Sequence, residues 1–581
     1  MKKLLSILFA GCLVISMLSA CTTNTESSST ASTESKEESS SSSEQEVSEE
    51  EEKYFDGDVE ISAPGEFPVV IGDMVTISVF TAPHTNANSE FDSSVNKFSK
   101  WYEDKTNVKL DFTIVTSADK TAKLNTMFFS DSYEDVIFGT FWDSATQYEY
   151  GSSGFLVPLN DYLEEDAYYL DQYLADAYAE EAFTEMDANA LVMQDGNVYS
   201  LGQYKTSPTH QYVTKIWIYE PWLDAVGMDM PTTTDEYYDV LTAFKTQDPN
   251  GNGEADEIPL SGAKTGWNTN PIEFIMNSFL YYDNTKKLSV IDGTVEMQAI
   301  QDEYKAGLEY MNMLVEEGLY FSDTYTQDAQ ALITLGSMDT HVLGSAAGGF
   351  QTNVTVLDEE GDWLNWVAMP PLEGPEGVQY AKPLDTTPYV KAHITDACDY
   401  PRVAFKVLDG LYEAETVMNA TYGLRGEIWE YAEDGELGFN GEQGTHKLLV
   451  SARAESGEQN YAWAEIGVSF MYPGWMAGQV STLENVEEDQ DYILYQASQA
   501  YAPYAPDSSL LLPSLNIEEE DSVRYIDLKT QLNDYINTAA ADFILNGDID
   551  ERWDTYLAEI DQRGLEEYLE ICQKAYDALV G

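Results

Sequence analysis

The sequence predicts an α/β protein in which helices cover a parallel β-sheet. Val75 to Phe80 and Val108 to Val115 alternate like β-strands, and Asp135 to Gly139 is a short apolar run that ends in glycine. Apolar residues at helical spacing lie between them, over Ser94 to Thr106 and over Lys120 to Phe129. Strand, helix, strand, helix, strand is the order of a parallel sheet with helices on its faces.

Ligands of such sheets bind beyond the carboxyl ends of the strands. The loops 82–88 and 140–143, which contain Trp142, are therefore expected to border a binding site. Later segments also have local signals: the strand Ile216 to Tyr219, an N-cap at Thr234 before the helix Tyr237 to Thr246, a helix over Tyr304 to Glu317 ended by Gly318, turns at Asp195-Gly196 and Asp292-Gly293, a helix over Arg402 to Tyr412, and a helical tail over Asp527 to Leu579 with breaks at Gly547 and Gly564.

The N-terminus has the pattern of an exported lipoprotein. Residues 1–20 combine two lysines, a short apolar core and small residues before a cut, and Leu18-Ser19-Ala20-Cys21 resembles the bacterial lipobox. Lipidation of Cys21 by acyl chains such as palmitate would anchor the protein on the outer face of the cell membrane. The alternative is an ordinary secretory signal. Residues 21–53 are rich in Ser, Thr and Glu and predict a disordered tether.

Composition excludes several partners. With 103 acidic and 29 basic residues the formal net charge is −74, so nucleic acid is not expected as a partner, and membrane contact is expected only through the anchor. A neutral or cationic ligand fits better than an acidic one. Beyond Cys21, only Cys398 and Cys572 remain in the mature chain, either paired or as buried thiols.

The loop Asp248 to Glu257 resembles the opening of an EF-hand calcium loop. Its sequence, Asp-Pro-Asn-Gly-Asn-Gly-Glu-Ala-Asp-Glu, has oxygen side chains at positions one, three and five and glycine at position six. Pro259 stands at position twelve, where an EF-hand has a bidentate Glu, so the site is predicted to be a related structural Ca²⁺ loop. The alternative is a solvated turn. The predicted ligands are Asp248, Asn250, Asn252, Glu254 through its carbonyl, Asp256 and Glu257.

A family resemblance accompanies this loop. Ile216 to Leu223, Met230 to Glu236, the calcium loop and Ile258 to Gly262 resemble extracellular solute-binding proteins of family 1, in the large lipoprotein branch that includes alginate-binding proteins. The resemblance covers residues 74–430. It implies a periplasmic-binding-protein-like type II fold with two α/β lobes, joined by hinge strands, and a ligand cleft between them. The implied lobes are residues 70–204 with 384–425, and residues 205–383 with 426–581.

The resemblance also implies a function. Such proteins capture a carbohydrate, usually an oligosaccharide, and deliver it to the permease subunits of an ABC importer; the protein is expected to be a monomer and not an enzyme. Trp142 and Trp267 are the favoured stacking residues because both lie in loops rich in Gly or Asn. The full candidate set is Trp142, Trp217, Trp267, Tyr389 and Trp475 for stacking and Arg425 for hydrogen bonding, with a core position as the alternative for each aromatic residue.

Two other functions stay open at this point. A cell-surface glycoside hydrolase would need two carboxylates across a cleft, which so acidic a chain could supply by chance. A protein that binds peptides or another solute could use the same fold, because fold does not determine the ligand.

Overall fold

A computed structural model of the protein describes residues 53–82, 90–116, 119–139, 142, 144–179, 183, 185–205, 208–357, 361–384, 389–450, 460–463, 468, 470–471 and 473–580. The predicted signal peptide, Cys21 and the tether up to residue 52 lie outside the described residues. So does most of the two loops that were expected to border a site. Among the residues that are described, none of the helices has both the length and the apolar character needed to cross a membrane.

The described strands confirm the sequence-predicted strand segments. The strands are β1 (Tyr54–Asp56), β2 (Val59–Ile61), β3 (Val75–Thr81), β4 (Val108–Ile114), β5 (Val136–Phe138), β6 (Leu201–Lys205), β7 (Ile216–Tyr219), β8 (Leu288–Ile291), β9 (Thr294–Met297), β10 (Ser345–Ala347), β11 (Trp366–Ala368), β12 (Tyr389–Ile394), β13 (Trp429–Tyr431), β14 (His446–Leu448), β15 (Phe470–Met471) and β16 (Gln479–Val480).

The helices between them also follow the predicted order. They are α1 (Lys97–Thr106), α2 (Lys120–Phe129), α3 (Ser144–Ser152), α4 (Asn160–Glu165), α5 (Tyr169–Ala179), α6 (Glu185–Asn189), α7 (Glu220–Val226), α8 (Thr234–Thr246), α9 (Ile272–Met276), α10 (Asp302–Glu316), α11 (Ala329–Gly336), α12 (Pro401–Asp409), α13 (Ala414–Tyr422), α14 (Pro473–Ala477), α15 (Gln490–Tyr501), α16 (Glu519–Asn546), α17 (Ile549–Gln562) and α18 (Leu565–Val580).

The N-cap of α8 is one residue earlier than predicted. The side chain of Thr233, not Thr234, accepts a hydrogen bond from the backbone N–H of Glu236, while Thr234 is buried as the first helical residue. The sequence pattern suits either threonine as the N-cap. Because Thr234 is buried, it takes the first helical position and Thr233 becomes the cap. The predicted breaks in the tail do occur, at Gly547 and Gly564, both with positive φ.

A six-stranded sheet combines β3 to β6 with the later strands β12 and β15. Its order is β15-β6-β12-β5-β3-β4. Strand β3 lies between β4 and β5 and is parallel to both, β15 is parallel to β6, and β12 runs antiparallel to β5 and β6. The predicted parallel βαβ arrangement is thereby confirmed, and the antiparallel β12 was not foreseen because its partners are distant in sequence.

A second, smaller sheet has the order β10-β7-β11, with both outer strands antiparallel to β7. The segment after α8 extends it, since Ile258 bridges Leu343 and Ser261 bridges Ala346 in parallel. The tail helices α16 to α18 pack on the core beneath this sheet.

The buried apolar side chains form two large cores. One contains residues between Ile61 and Leu201 and between Ala392 and Met476; the other contains residues between Tyr212 and Ala381 and between Leu494 and Ala575. We call them the first and second core. The segment 426–476 was expected in the second lobe, but Trp429, Trp463 and Met476 pack in the first core. Trp463 packs against Phe98 of α1, and Trp429 donates to Asn419 of α13. The lobe boundaries themselves stay a prediction.

The two remaining cysteines cannot pair. Cys398 is buried in the first core and Cys572 in the second, and both are free thiols. Burial raises the pKa of each thiol to about 12, so neither is a reactive thiolate at neutral pH.

The chain enters the described fold through the first core. Strands β1 and β2 form a hairpin, with Tyr54 opposite Ile61. A carboxylate oxygen of Asp56 accepts a hydrogen bond of 2.8 Å from the backbone N–H of Val403 in the first turn of α12. The hairpin is thereby fixed to a helix that lies almost 350 residues further along the sequence.

Candidate ligand-binding cleft and calcium loop

Aromatic residues collect at one edge of the six-stranded sheet. Because β3, β4, β5, β6 and β15 run in one direction, they end at the same edge, where the antiparallel β12 begins. Trp142 follows β5, Trp475 follows β15, and Tyr389 opens β12. The structure therefore brings three of the sequence-predicted residues to the carboxyl edge, although the side chain of Tyr389 lies outside the described set.

Trp142 lies against a buried histidine. The ring centroids of Trp142 and His393 are 4.4 Å apart, and Tyr150 lies 5.1 Å from the same indole. The Nδ1 of His393 is 3.0 Å from the carbonyl oxygen of Tyr199 and donates to it, because a carbonyl can only accept. Burial lowers the pKa of His393 to about 4, so the ring is neutral at physiological pH. The neutral imidazole thus backs an indole that is itself only half-buried.

Trp475 has a similar support. Its indole stacks on His446 with centroids 4.3 Å apart and planes 9° from parallel. The hydroxyl of Thr445 donates to the carbonyl of Trp475 at 2.7 Å and accepts from Nδ1 of His446 at 2.9 Å. Burial lowers the pKa of His446 to about 4 as well. Two half-buried tryptophans at one edge therefore rest on neutral, buried imidazoles.

An aromatic cluster lies at the edge of the smaller sheet. Trp267 is 39% exposed, and its ring centroid is 4.6 Å from that of Phe350 and 6.0 Å from that of His210. Gly349 leaves room for the indole, since a Cβ there would come within 2.3 Å of it. The loop of Trp267 follows Ser261, and Phe350 follows β10, so both leave the sheet at the same edge.

Three segments of the chain, which we call crossings, connect the two cores. Strand β6 ends at the aromatic edge of the first sheet, and the chain then reaches β7, whose first residue, Ile216, pairs with Ala347 at the end of β10. A second crossing leads from β11 back to the start of β12, and a third lies between Met476 and Leu494. Trp142 and Trp475 therefore lie at the edge of the first sheet from which the first crossing leaves, and Trp267 lies at the edge of the smaller sheet that it reaches.

Two of the predicted residues take other positions. Trp217 is fully buried, and its indole N–H donates to the carbonyl of Gly348 at 2.8 Å, so it offers no surface to a ligand. Arg425 is exposed, but its guanidinium donates to Glu415 at 2.6 Å and lies 5.3 Å from the ring centroid of Tyr431. Both therefore have structural partners in place of a ligand.

Sequence reasoning missed His210 and Phe350. Neither belongs to a motif, and their relation to Trp267 arises only when β10 pairs beside Ser261. One signal was available: Gly348-Gly349-Phe350 places two glycines and an aromatic residue directly after a small-residue strand, a pattern typical of close backbone approach.

The predicted calcium loop is tightly curled. Asp248, Gly251 and Gly253 all have positive φ. The side-chain amides of Asn250 and Asn252 each donate to the carboxylate of Asp256 at 3.1 Å. The backbone N–H of Gly253 donates to Asp248 at 3.1 Å. Asn250, Asn252 and Asp256 therefore lie within hydrogen-bond distance of one another, and Asp248 is bonded to the loop backbone.

The donor set of this loop fits Ca²⁺. Carboxylate and amide oxygens are the hard ligands that this ion takes, and the amides of Asn250 and Asn252 can present oxygen instead of nitrogen by rotation. One carboxylate oxygen of Glu257 is buried without a hydrogen-bond partner, which a cation would satisfy. The loop joins α8 to the segment beside β10, so an ion there would fix a connection within the second core.

A second cluster of acidic residues is already neutralised by a lysine. Among the described residues, Glu518, Glu520 and Asp521 are close enough to share a metal. The ammonium of Lys574 pairs with Glu518 and lies 2.9 Å from Asp521 and 3.4 Å from Glu520. The hydrogen bond to Glu518, followed by that to Asp521, raises the pKa of Lys574. We assign no metal to this group.

Comparison with known proteins identifies similar chains. The sequence is 28% identical over 490 residues to the fructooligosaccharide ABC transporter substrate-binding protein FusA of Streptococcus pneumoniae, over 82% of this chain and 85% of that protein. It is 27% identical over 172 residues to lipoprotein LipO of Bacillus subtilis, over 27% of this chain and 32% of LipO. No protein-family model matches the chain.

Solved structures extend the comparison. S. pneumoniae FusA in complex with kestose superposes with a TM-score of 0.70 at 26% identity, covering 87% of this chain and 99% of the other. A structure of a FusA EF-hand mutant with fructo-nystose has the same score, identity and coverage. The HMO-binding solute-binding protein of Bifidobacterium longum infantis has a TM-score of 0.71 at 20% identity, over 87% of this chain and 99% of that one, and shows the fold alone. The predicted two-lobed α/β fold is confirmed.

Proposed function

We propose that this protein captures an oligosaccharide between its two cores and passes it to a membrane importer. Its homologues and structural neighbours are sugar-binding proteins of ABC transporters. The relatives are binding components of transporters and not enzymes. A glycoside hydrolase is therefore no longer a competing interpretation.

The proposal is supported by tryptophans that keep part of their indole accessible at the ends of the two sheets joined by the first crossing. Sugar rings have flat apolar faces that pack on indoles and polar rims that need hydrogen bonds. Trp142 and Trp475 would contact the sugar from the first core, and Trp267 with Phe350 from the second. Several indoles at separate points suit a chain of sugar units better than a single ring.

Calorimetric titration tests the proposal. Because the FusA structures contain kestose and fructo-nystose, these two neutral oligosaccharides are the first probes, followed by other neutral oligosaccharides, an acidic galacturonide and a peptide mixture. We expect binding of a neutral oligosaccharide, with the ligand recovered intact by mass spectrometry. Binding of peptides alone, with no response to any oligosaccharide, would contradict the proposal.

The loop Asp248 to Glu257 is proposed to hold a structural Ca²⁺. The convergent oxygens and the unsatisfied Glu257 carboxylate support this, as does the existence of an EF-hand mutant of the FusA relative. The ion would neutralise the carboxylates and fix the connection between α8 and the smaller sheet. It is not proposed to contact the sugar.

Attachment to the outer membrane face through Cys21 completes the proposal. The lipobox resemblance supports it, and one relative is itself named a lipoprotein. Expression of the Cys21→Ser variant in a bacterial host should move the protein from the membrane fraction to the medium. Retention of the variant in the membrane fraction would argue against the lipid anchor.

A further inference from the structure

A single carboxylate contacts both of the first two segments that cross between the cores. Glu273 lies in α9 of the second core and is 8% exposed. Its Oε1 accepts from the hydroxyl of Thr214 at 2.9 Å and lies 3.4 Å from the ammonium of Lys382. Thr214 ends the first crossing, just before β7, and Lys382 begins the second, which leads to β12.

The surrounding charges are balanced. Asp283 lies 3.5 Å from Lys382, and its carboxylate also accepts from the backbone N–H groups of Thr285 and Lys286. The ammonium of Lys287 donates to the carbonyl of Asn284 at 2.5 Å. Burial lowers the pKa of Lys287 to about 8, while the carboxylates of Glu273 and Asp283 oppose that shift, so the side chain stays charged at neutral pH. The carboxylates of Glu273 and Asp283 and the ammonium groups of Lys287 and Lys382 thus form a largely buried group with no net charge.

The two crossings are also bonded to each other. The backbone N–H of Leu384 donates to the carbonyl of Gln211 at 2.7 Å, three residues before Thr214 and two after Lys382. The crossings therefore form a ribbon that is attached at one end to Glu273. We expect this ribbon to bend in the part that is nearer to the first core, because its other end is attached to Glu273 and moves with α9.

We propose that Glu273 is a positioning residue that fixes both crossings to the second core and so sets the location of the hinge and the spread of open conformations. Without the charge of Glu273, Lys382 keeps only Asp283 as an acidic partner and the bond from Thr214 is weaker. The ribbon can then bend along more of its length, and the two sets of tryptophans meet in more orientations. Ligand affinity falls although no ligand contact changes, because fewer conformers are competent to bind.

Distance measurement by spin labels tests this without any sugar. Asp104 on α1 and Asp239 on α8 are exposed and belong to different cores, and Cys398 and Cys572 are buried. In a chain that starts after Cys21, labels at Asp104→Cys and Asp239→Cys therefore report the separation of the cores. We expect Glu273→Gln to broaden the distance distribution of the ligand-free protein. Thr214→Val removes only one hydroxyl and provides a milder variant should Glu273→Gln fold poorly; it should broaden the distribution less.

The control is Lys305→Met. Lys305 pairs with Glu309 and Asp550 in the same core but touches neither crossing, so its loss should leave the distribution unchanged. An unchanged distribution in both Glu273→Gln and Thr214→Val would overturn the inference. If an oligosaccharide binds, Glu273→Gln should also weaken it by about tenfold. Because the spin-label result needs no ligand, failure of the hinge inference and failure of the sugar proposal are distinguishable.

Discussion

The indole of Trp142 rests on the imidazole of His393, with ring centroids 4.4 Å apart and a hydrogen bond from His393 to Tyr199 that fixes the imidazole. The half-buried indole is held from behind, so it can receive a ligand without first becoming ordered. Rigid aromatic contacts lose little entropy on binding, which makes this pair the strongest candidate contact of the first core.

Replacement of Trp142 by alanine should weaken oligosaccharide binding by about 10- to 100-fold, which corresponds to roughly 1.4–3 kcal/mol. Trp101→Ala is the matched control, since Trp101 is also a partly buried tryptophan of the first core but lies on α1, beside Phe98 and Lys105. Calorimetry should show a loss of affinity for Trp142→Ala only. Equal affinity of the two variants would show that Trp142 does not contact the ligand.

Stability should fall as the pH drops from 6.5 to 4. His393 and His446 have a pKa of about 4 in the folded protein, below the value of 6.5 expected when unfolded. Between these values the unfolded state binds more protons, so the stabilisation present above pH 6.5 is lost as the pH falls. Each histidine should account for about 2–3 kcal/mol of this loss.

Urea unfolding at pH 7 and pH 4.5 measures this effect. His393→Gln keeps a donor for the Tyr199 carbonyl but does not titrate, so the difference in stability between the two pH values should shrink by the contribution of one histidine. The same difference in the variant and the parent protein would show that His393 is not buried in its neutral form.

Removal of calcium should lower the melting temperature. An ion at one hundred times its dissociation constant stabilises the folded state by about 2.7 kcal/mol. We expect EDTA to lower the melting temperature and Ca²⁺ to restore it. Asp256→Ala should abolish the response, because this carboxylate is the centre on which the loop amides converge. Asp229→Ala, at an exposed position of the same core, should respond like the parent.

Gly349→Ala should displace the indole of Trp267. A methyl group at this position would come within 2.3 Å of the ring, so the ring must shift or rotate. We expect a change in tryptophan fluorescence and a loss of affinity of about tenfold, equivalent to roughly 1.4 kcal/mol. Trp267→Phe should lose affinity as well, and adding Gly349→Ala to it should have little further effect. If the losses of affinity caused by the two substitutions simply add, Gly349 does not act through the ring at position 267.

The local elements of this fold could be read from the sequence, but the pairing between distant segments could not. The βαβ order from Val75 to Phe138 follows from short-range periodicity. Strand β12 has equally clear apolar character, yet its insertion between β5 and β6 depends on residues far away in sequence, at 136–138 and 201–203. The same limit applies to Trp463, whose partners Phe98 and Ser99 lie in the distant helix α1.

In the candidate site, too, the sequence indicates only those residues whose signal is local. The calcium loop could be predicted because its residues are contiguous, and Trp142 and Trp267 were favoured because both lie in loops rich in glycine or asparagine. Trp217 has the same residue type in an apolar strand, and only its burial and its bond to Gly348 identify it as a core residue. His393 gave no sequence signal, since a lone histidine in a strand has no spacing to interpret.

The hydrogen bond from Val403 to Asp56 has a mechanical consequence. Any pull on the chain before Lys53 reaches the β1–β2 hairpin first and is passed through Asp56 to α12, in the interior of the first core. A load on the chain therefore reaches the first core before the second. It passes to the second core through the crossings and through the hydrogen bonds of residues 515–517 with Ser144, Asn189, Val192 and Gln194.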